Sequence, residues 1–268
     1  MSTTTLAYSL TDSVTMLRRN LKRQIRYPSI TVMLIAMPLI FLLLFVYVFG
    51  GQLGTGLGHR AGSHTARGAY LDYITPGILI MTVASAALGT AISVAMDMST
   101  GIVARFRTMS IARGAVLTGH VLGTLLQTLV GLIVIAAVAA AIGFRPDAGA
   151  LSWLAALGML LLFALALIWL STALGLAAKS VETASNTPMF LTLLPFLGSG
   201  FVPTASMPAG LRQFAEYQPF TPVTETVRHL LTGGPVAPHA IAAITWSLAI
   251  TTAAYLWSIC LYNRRQIR

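Results

Sequence analysis

The chain has 268 residues, of which 56% are hydrophobic and only 9% charged, with a formal net charge of +10. A soluble domain carries about 25% charged residues, so a water-exposed globule is excluded and a helical membrane protein is indicated. The single Cys260 excludes an internal disulfide.

Residues 6–27 place Leu6, Leu10, Val14, Leu17, Leu21 and Ile25 at three- and four-residue steps, the apolar stripe of an amphipathic helix. Arg18, Arg19, Lys22, Arg23 and Arg26 crowd its second half. Ser9 and Asp12 have the spacing of a capping box, and Pro28 ends the helix. A basic amphipathic helix beside a span is expected to lie in the anionic cytoplasmic leaflet. The apolar run that follows is too long for the core of a signal peptide.

Six spans are predicted, at about 30–50, 74–96, 116–143, 152–178, 186–203 and 240–262, each near the 20 or so apolar residues a crossing needs. The fifth is short and carries Pro188 and Pro195. Residues 50–63 are Gly-rich and read as a flexible loop. Six spans put both termini on one side. That side collects twelve Lys and Arg against five on the other, so the termini are expected in the cytoplasm. Topology thereby accounts for the excess positive charge, and nucleic acid is not needed as a partner. The whole chain, 1–268, reads as one all-α polytopic membrane domain.

The first cytoplasmic connection is residues 96–114, MDMSTGIVARFRTMSIARG. A simple turn needs only a few residues. This segment reads as a short helix with Ile102, Phe106 and Met109 on one face and Arg105 on another. A basic helix across the cytoplasmic mouth suits a protein partner, and its arginines also anchor topology; the residues alone leave both readings open.

Within the membrane, Ser85, Gly89 and Ser93 give the second span a small face, and Gly119, Gly123, Gln127 and Gly131 give one to the third. Such faces let helices approach closely. His120 and Gln127 are intramembrane polar groups, costly to bury and therefore candidates for a substrate path or gate. His120 also lies near the cytoplasmic end, within reach of the interface. His59 and His64 stand in the Gly-rich loop without metal-ligand spacing, and no metal site is expected.

Residues 204–238 face outward. Pro208 and Pro222 suit the first turns of two short helices, with Thr221 as an N-cap. Two partly polar half-helices cannot span and read as a re-entrant pair in the outer leaflet between spans five and six. Arg212 and Glu216 are four apart, as are Glu225 and His229, while Glu225 and Arg228 are three apart; such pairs neutralise one another. An exit gate and a solvated lid both fit.

No GxxxxGK[ST] loop is present. The two lysines are Lys22 and Lys179, and Ala178 stands where a phosphate loop needs Gly. Uphill transport would draw its energy from another polypeptide, through a contact on 96–114 and on the basic 18–26 stretch that includes Arg19 and Arg23. An intramembrane enzyme would need clustered acids, bases or metal ligands at one depth. The seven carboxylates sit mainly in loops.

The stretch MSTGIVARFRTMSIARGAVLTGHVLG resembles the intracellular coupling segment of ABC-2 type transporter permeases of the daunorubicin-resistance kind. Asp97, Gly101, Arg105, Arg107 and Arg113 with Gly114 fall in that pattern, and Ser110 departs from it where the family often has Pro. A second block, residues 196–230, resembles the family's outer segment through Phe201, Val202, Pro203, Met207, Pro208, Leu211, Arg212, Pro219, Thr221, Pro222 and Arg228. The weaker match YLDYITPGIL, residues 70–79, leads into span two. The resemblance implies two permease copies paired with two cytoplasmic ATPase subunits that bind ATP and Mg, and export of amphiphilic compounds from a bacterial cell through its membrane. This chain itself would hold no cofactor. Export of a lipid-linked glycan or another envelope polymer is the alternative within the same fold. A polymer route calls for an aromatic-lined tunnel, and the 9% aromatic content, mostly near span ends, favours small molecules.

Overall fold

The computed structural model describes residues 15–22, 24–26, 28–55, 65–99, 115–146 and 148–264, and every regular element among them is helical. Five helices are long and apolar enough to cross a membrane: Thr31–Thr55, Ala66–Ser99, Leu117–Ala141, Ala150–Ala177 and Ala237–Tyr262. The first of these runs from α1 (Pro28–Leu44) through a π-helical turn, Phe45–Phe49, into a last turn, Gly50–Thr55. Then come α2 (Ala66–Ser99), α3 (Ala115–Ala141) and α4 (Ala150–Ala177). The short helices α5 (Val181–Asn186), α6 (Met189–Leu193), α7 (Ala209–Tyr217) and α8 (Phe220–Thr232) precede the long α9 (Ala237–Arg264).

α2 is the axis of the bundle. It packs against α1, α3, α4, α5, α6 and α8, and Ile74, Ile78, Val83, Ala84, Ala87 and Ala91 are fully buried along it. Its 34 residues span about 51 Å at a 1.5 Å rise, well beyond the roughly 30 Å of hydrocarbon. The helix is therefore longer than a perpendicular crossing requires. The helix begins earlier than the expected residue 74 because Tyr70, Leu71 and Tyr73 are buried against neighbours rather than left in a loop. Small residues set its closest contacts. A Cβ on Gly175 of α4 would lie 2.6 Å from the Ala91 carbonyl oxygen, and one on Gly77 would lie 2.3 Å from the carbonyl oxygen of Gly200.

The expected fifth span, 186–203, is not one continuous helix. It is divided into α5, α6, a 3-10 turn at Leu194–Leu197 and an irregular stretch through Gly200. Pro188 and Pro195 remove backbone donors, which interrupts the ladder of i to i−4 bonds. Ser180 caps the start of α5 by accepting from the Thr183 N–H at 3.2 Å.

The described part of the N-terminal helix, residues 15–22 and 24–26, leans on the small face of α3. A Cβ on Gly119 would meet Met16 at 2.5 Å, and one on Gly123 would meet Asn20 at 3.0 Å. Met16 and Asn20 are buried there. Gly131 takes Thr82 and α1 instead. The small face of α2 behaves differently: a Cβ on Gly89 would meet nothing within 4 Å.

Candidate functional site

Two polar clusters stand out, one toward each end of α2. At the N-terminal end of α2, α8 is placed by Pro219, its N-cap residue. Thr221 is not the cap that its position before Pro222 suggested. It lies inside the helix, and its hydroxyl accepts the Ser199 N–H at 3.2 Å. Pro222 does fall in the first turn of α8, at its third position, and Pro208 is the N-cap residue directly before α7. Arg228, 1% exposed, is the largest fully buried side chain among the described residues. Its Nη1 pairs with Glu225. Its Nε and Nη2 donate to the Tyr73 carbonyl at 3.3 and 3.2 Å, and Nη2 also donates to the Ser199 carbonyl at 2.7 Å. The guanidinium sits 4.0 Å from the centre of the Tyr73 ring, a cation–π contact that strengthens out of water. The Tyr73 hydroxyl donates to the same Ser199 carbonyl at 2.8 Å.

This arrangement ties α8, the N-terminal part of α2 and the broken segment into one unit. It also supplies donors where regular structure is lost. Gln218 Nε2 donates to the Leu194 carbonyl at 3.2 Å, at the start of the 3-10 turn. Burial pushes the Glu225 carboxyl up, but the Arg228 guanidinium, the Ser199 side chain and His229 together outweigh it and hold the group below its ordinary value. Arg212 and Glu216 of α7 form a 2.8 Å pair that is half-exposed on both sides, in contrast to the buried Arg228–Glu225 pair, beside which His229 Nε2 lies 3.8 Å from the second Glu225 oxygen. Phe201 is buried and stacks on Phe196 at 4.4 Å between ring centres, with Phe45 5.3 Å from Phe201. Pro203 and Met207 flank a short 3-10 turn, Thr204–Ser206, without burying it.

At the C-terminal end of α2, Asp97 is 5% exposed. His120 Nε2 lies 3.0 Å from Asp97 Oδ2, and Arg19 of the N-terminal helix reaches the same oxygen at 3.7 Å. A buried carboxylate needs such partners. The triad joins the last turn of α2, the first turns of α3 and the N-terminal helix. Gln127, one step deeper, accepts from Gln24 Nε2 at 3.2 Å and donates to the Thr31 hydroxyl at 2.9 Å. Gln24 also donates to the Gly123 carbonyl. Sequence reasoning selected Asp97, His120, Arg19 and Gln127 individually. It gave no sign that three of them share one oxygen, and it passed over Tyr73, Ser199, Asn20 and Gln24. Gly101, Arg105, Phe106, Arg107, Arg113 and Arg23 lie outside the described residues.

Between the two clusters runs an apolar groove of about 630 Å³, walled by α1, α2 and α6 and the 3-10 turn. Met33, Met37, Phe41, Ser85, Gly89 and Leu193 are among its lining residues. Metal-ligating groups of three or more do not occur among the described residues.

Comparison with known proteins gives a consistent picture. The family model described as ABC-2 type transporter matches residues 11–232. The daunorubicin resistance ABC transporter permease protein DrrB1 of Streptomyces coeruleorubidus is 29% identical over 228 residues, which cover 85% of this chain and 77% of that protein. The probable doxorubicin resistance ABC transporter permease protein DrrC of Mycobacterium tuberculosis strain H37Rv is 23% identical over 216 residues, covering 81% of this chain and 75% of that protein.

Proposed function

The chain belongs to the ABC-2 type transporter family, and from that membership we propose that it is the membrane subunit of an ATP-driven exporter of lipophilic or amphiphilic small molecules. The observation that carries the substrate class is the open groove along α1, α2 and α6, whose walls are almost wholly apolar. Met33, Met37, Met189 and Leu193 are exposed beside it, and flexible methionines suit varied apolar shapes. The relatives' names, which refer to resistance to daunorubicin and doxorubicin, support the same class. In this reading two copies of the chain face each other across the groove, with the substrate path between them. A symmetric pair is the commonest closed assembly.

The six-crossing topology is part of the proposal. Gly175 touches α2 at Ala91, and Gly200 touches it at Gly77. Residues 178–200 thus connect levels of α2 that are fourteen residues apart, about 21 Å at a helical rise. Such a climb supports a fifth crossing made of short helices, which membrane interiors tolerate where the backbone is buried in protein or lines a cavity. The termini then share the cytoplasmic side, and 204–238 re-enters the outer leaflet as half of an exit gate. Single cysteines at the exposed Ala209 and Ala237, in a Cys260→Ser background, are expected to react with a membrane-impermeant maleimide from outside. Reaction of either from the cytoplasmic side alone overturns the topology.

ATP and Mg belong to a separate cytoplasmic ATPase, two copies per complex, docked on 96–114 and the basic N-terminal helix. The Arg19–Asp97–His120 triad stands at the root of that docking segment and would transmit its movement to α2 and α3. The double variant Arg105→Glu/Arg107→Glu is expected to insert like the parent. It should lose co-purification of the ATPase, and stimulated hydrolysis should fall by at least about tenfold, as charge reversal at an interface implies. Retention of both would place the docking site elsewhere.

A further inference from the structure

A second cavity lies behind the groove, toward the cytoplasmic side. It has a volume of about 220 Å³, and its described lining includes Asn20, Gln24, Thr90, Ser93, Thr124 and Gln127. Leu34, Ala86, Ile92 and Met96 complete a wall that is apolar over most of its area, and a cluster of amides and hydroxyls set into such a wall is unusual at membrane depth. The two spaces are continuous in their lining: Leu34, Gly89 and Ile92 border both. Gly89 stands at the junction, and a Cβ there would meet nothing within 4 Å. The small face of α2 therefore keeps a passage open instead of seating another helix.

We propose that the cavity and the groove form one bipartite site for an amphiphile, with an uncharged hydrogen-bonding head in the cavity and an apolar body in the groove. The inference rests on the exporter reading and sharpens its substrate class. The chemistry of the head follows from the lining. The described walls offer amides and hydroxyls, Thr90 and Thr124 bonded to each other at 3.0 Å and Gln24 to Gln127 at 3.2 Å. The one imidazole among them, His120, is held by Asp97, whose charge is in turn met by Arg19. An ionic head would leave water for a space whose described walls offer no spare counter-charge, and that desolvation is costly. A sugar-like or amide head exchanges its water for the hydroxyls and amides at little loss. The groove is chemically the opposite, lined by Met33, Met37, Phe41, Leu88 and Phe196, and accepts an alkyl or ring system of either kind of molecule.

The test uses the full chain in phosphatidylcholine nanodiscs, because detergent micelles would themselves supply amphiphiles. With Cys260→Ser as background, Gly89→Cys reports the junction and Met37→Cys, which lines the groove alone, reports the apolar part. Labelling by N-ethylmaleimide is followed by intact mass in the presence of dodecyl glucoside, dodecyltrimethylammonium or dodecyl phosphate. Dodecyl glucoside is expected to slow labelling of Gly89→Cys by about tenfold relative to the two ionic probes, a difference equal to one good polar contact against an uncompensated charge. All three should slow Met37→Cys to a similar degree. Equal protection of Gly89→Cys by the three probes, or by none, overturns the proposal and leaves the cavity as a water pocket. No ATPase is present in this assay, so its failure leaves the exporter reading standing, whereas loss of that reading would show in the co-purification experiment above.

Discussion

Arg228→Met is expected to remove most of the folded protein from the membrane fraction. Arg228 is buried, and its guanidinium serves the Tyr73 and Ser199 carbonyls and the Glu225 carboxylate together. Methionine fills similar space but donates nothing. The substitution takes away the nearest cation of the Glu225 carboxylate, leaving His229 at 3.8 Å, and removes donors from two carbonyls, at a stretch where Pro76 already removes one backbone N–H from α2. Breaking a buried ion pair on one side costs about 3–5 kcal/mol, a large fraction of the 5–15 kcal/mol that holds a typical domain folded. The measurement is monodisperse yield and melting midpoint by fluorescence-detected size exclusion. The double variant Arg228→Met/Glu225→Gln should recover part of the loss, because the carboxylate charge is then gone. Arg212→Met, which breaks the exposed pair with Glu216, should change the midpoint little, as surface pairs contribute at most about 1 kcal/mol. A parent-like midpoint for Arg228→Met would mean that the outer segment is not held by this cluster.

Gly77→Ala is the second large effect. The added methyl would lie 2.3 Å from the Gly200 oxygen and 2.7 Å from its carbonyl carbon, and backbone atoms cannot swing aside as a side-chain tip can. α2 and the broken segment must separate, at a cost of about 1–3 kcal/mol for overpacking. The shift also moves Ser199, next in the chain, away from Arg228 and Tyr73. The two lesions therefore act on one contact, and Gly77→Ala combined with Arg228→Met is expected to cost less than their sum. Gly158→Ala in α4, where a Cβ meets nothing within 4 Å, serves as the comparison and should leave the melting midpoint unchanged or raised. A Gly77→Ala protein as stable as the parent would show that Gly77 and Gly200 are not in close contact.

Apolar runs and their lengths established an all-helical chain with several membrane-crossing helices, and four of the expected boundaries lie within a few residues of α1, α3, α4 and α9. Hydropathy and helix period are local properties, so they can be read along the chain. The same holds for Arg212–Glu216 and Glu225–Arg228, whose partners sit three or four residues apart on one helix face. The family resemblance was legible because the Pro, Gly and Arg residues that carry it lie close together in sequence. What lay beyond reach was the choice of partner between distant faces. Arg228 meets Tyr73 across 155 residues, and Asp97 gathers Arg19 and His120 from two other helices. The stripes on α2 and α3 look alike as small-residue repeats. Yet one seats the N-terminal helix at Gly119 and Gly123, while the other stays open at Gly89. A small residue only permits close approach, and whether a neighbour arrives is decided by how the remaining faces pack. The broken course of 181–200 has the same origin. Pro188 and Pro195 were read as part of one short span, and the backbone could give up helical bonds there only because Gln218, Thr221, Tyr73 and Arg228 supply hydrogen bonds from other parts of the chain.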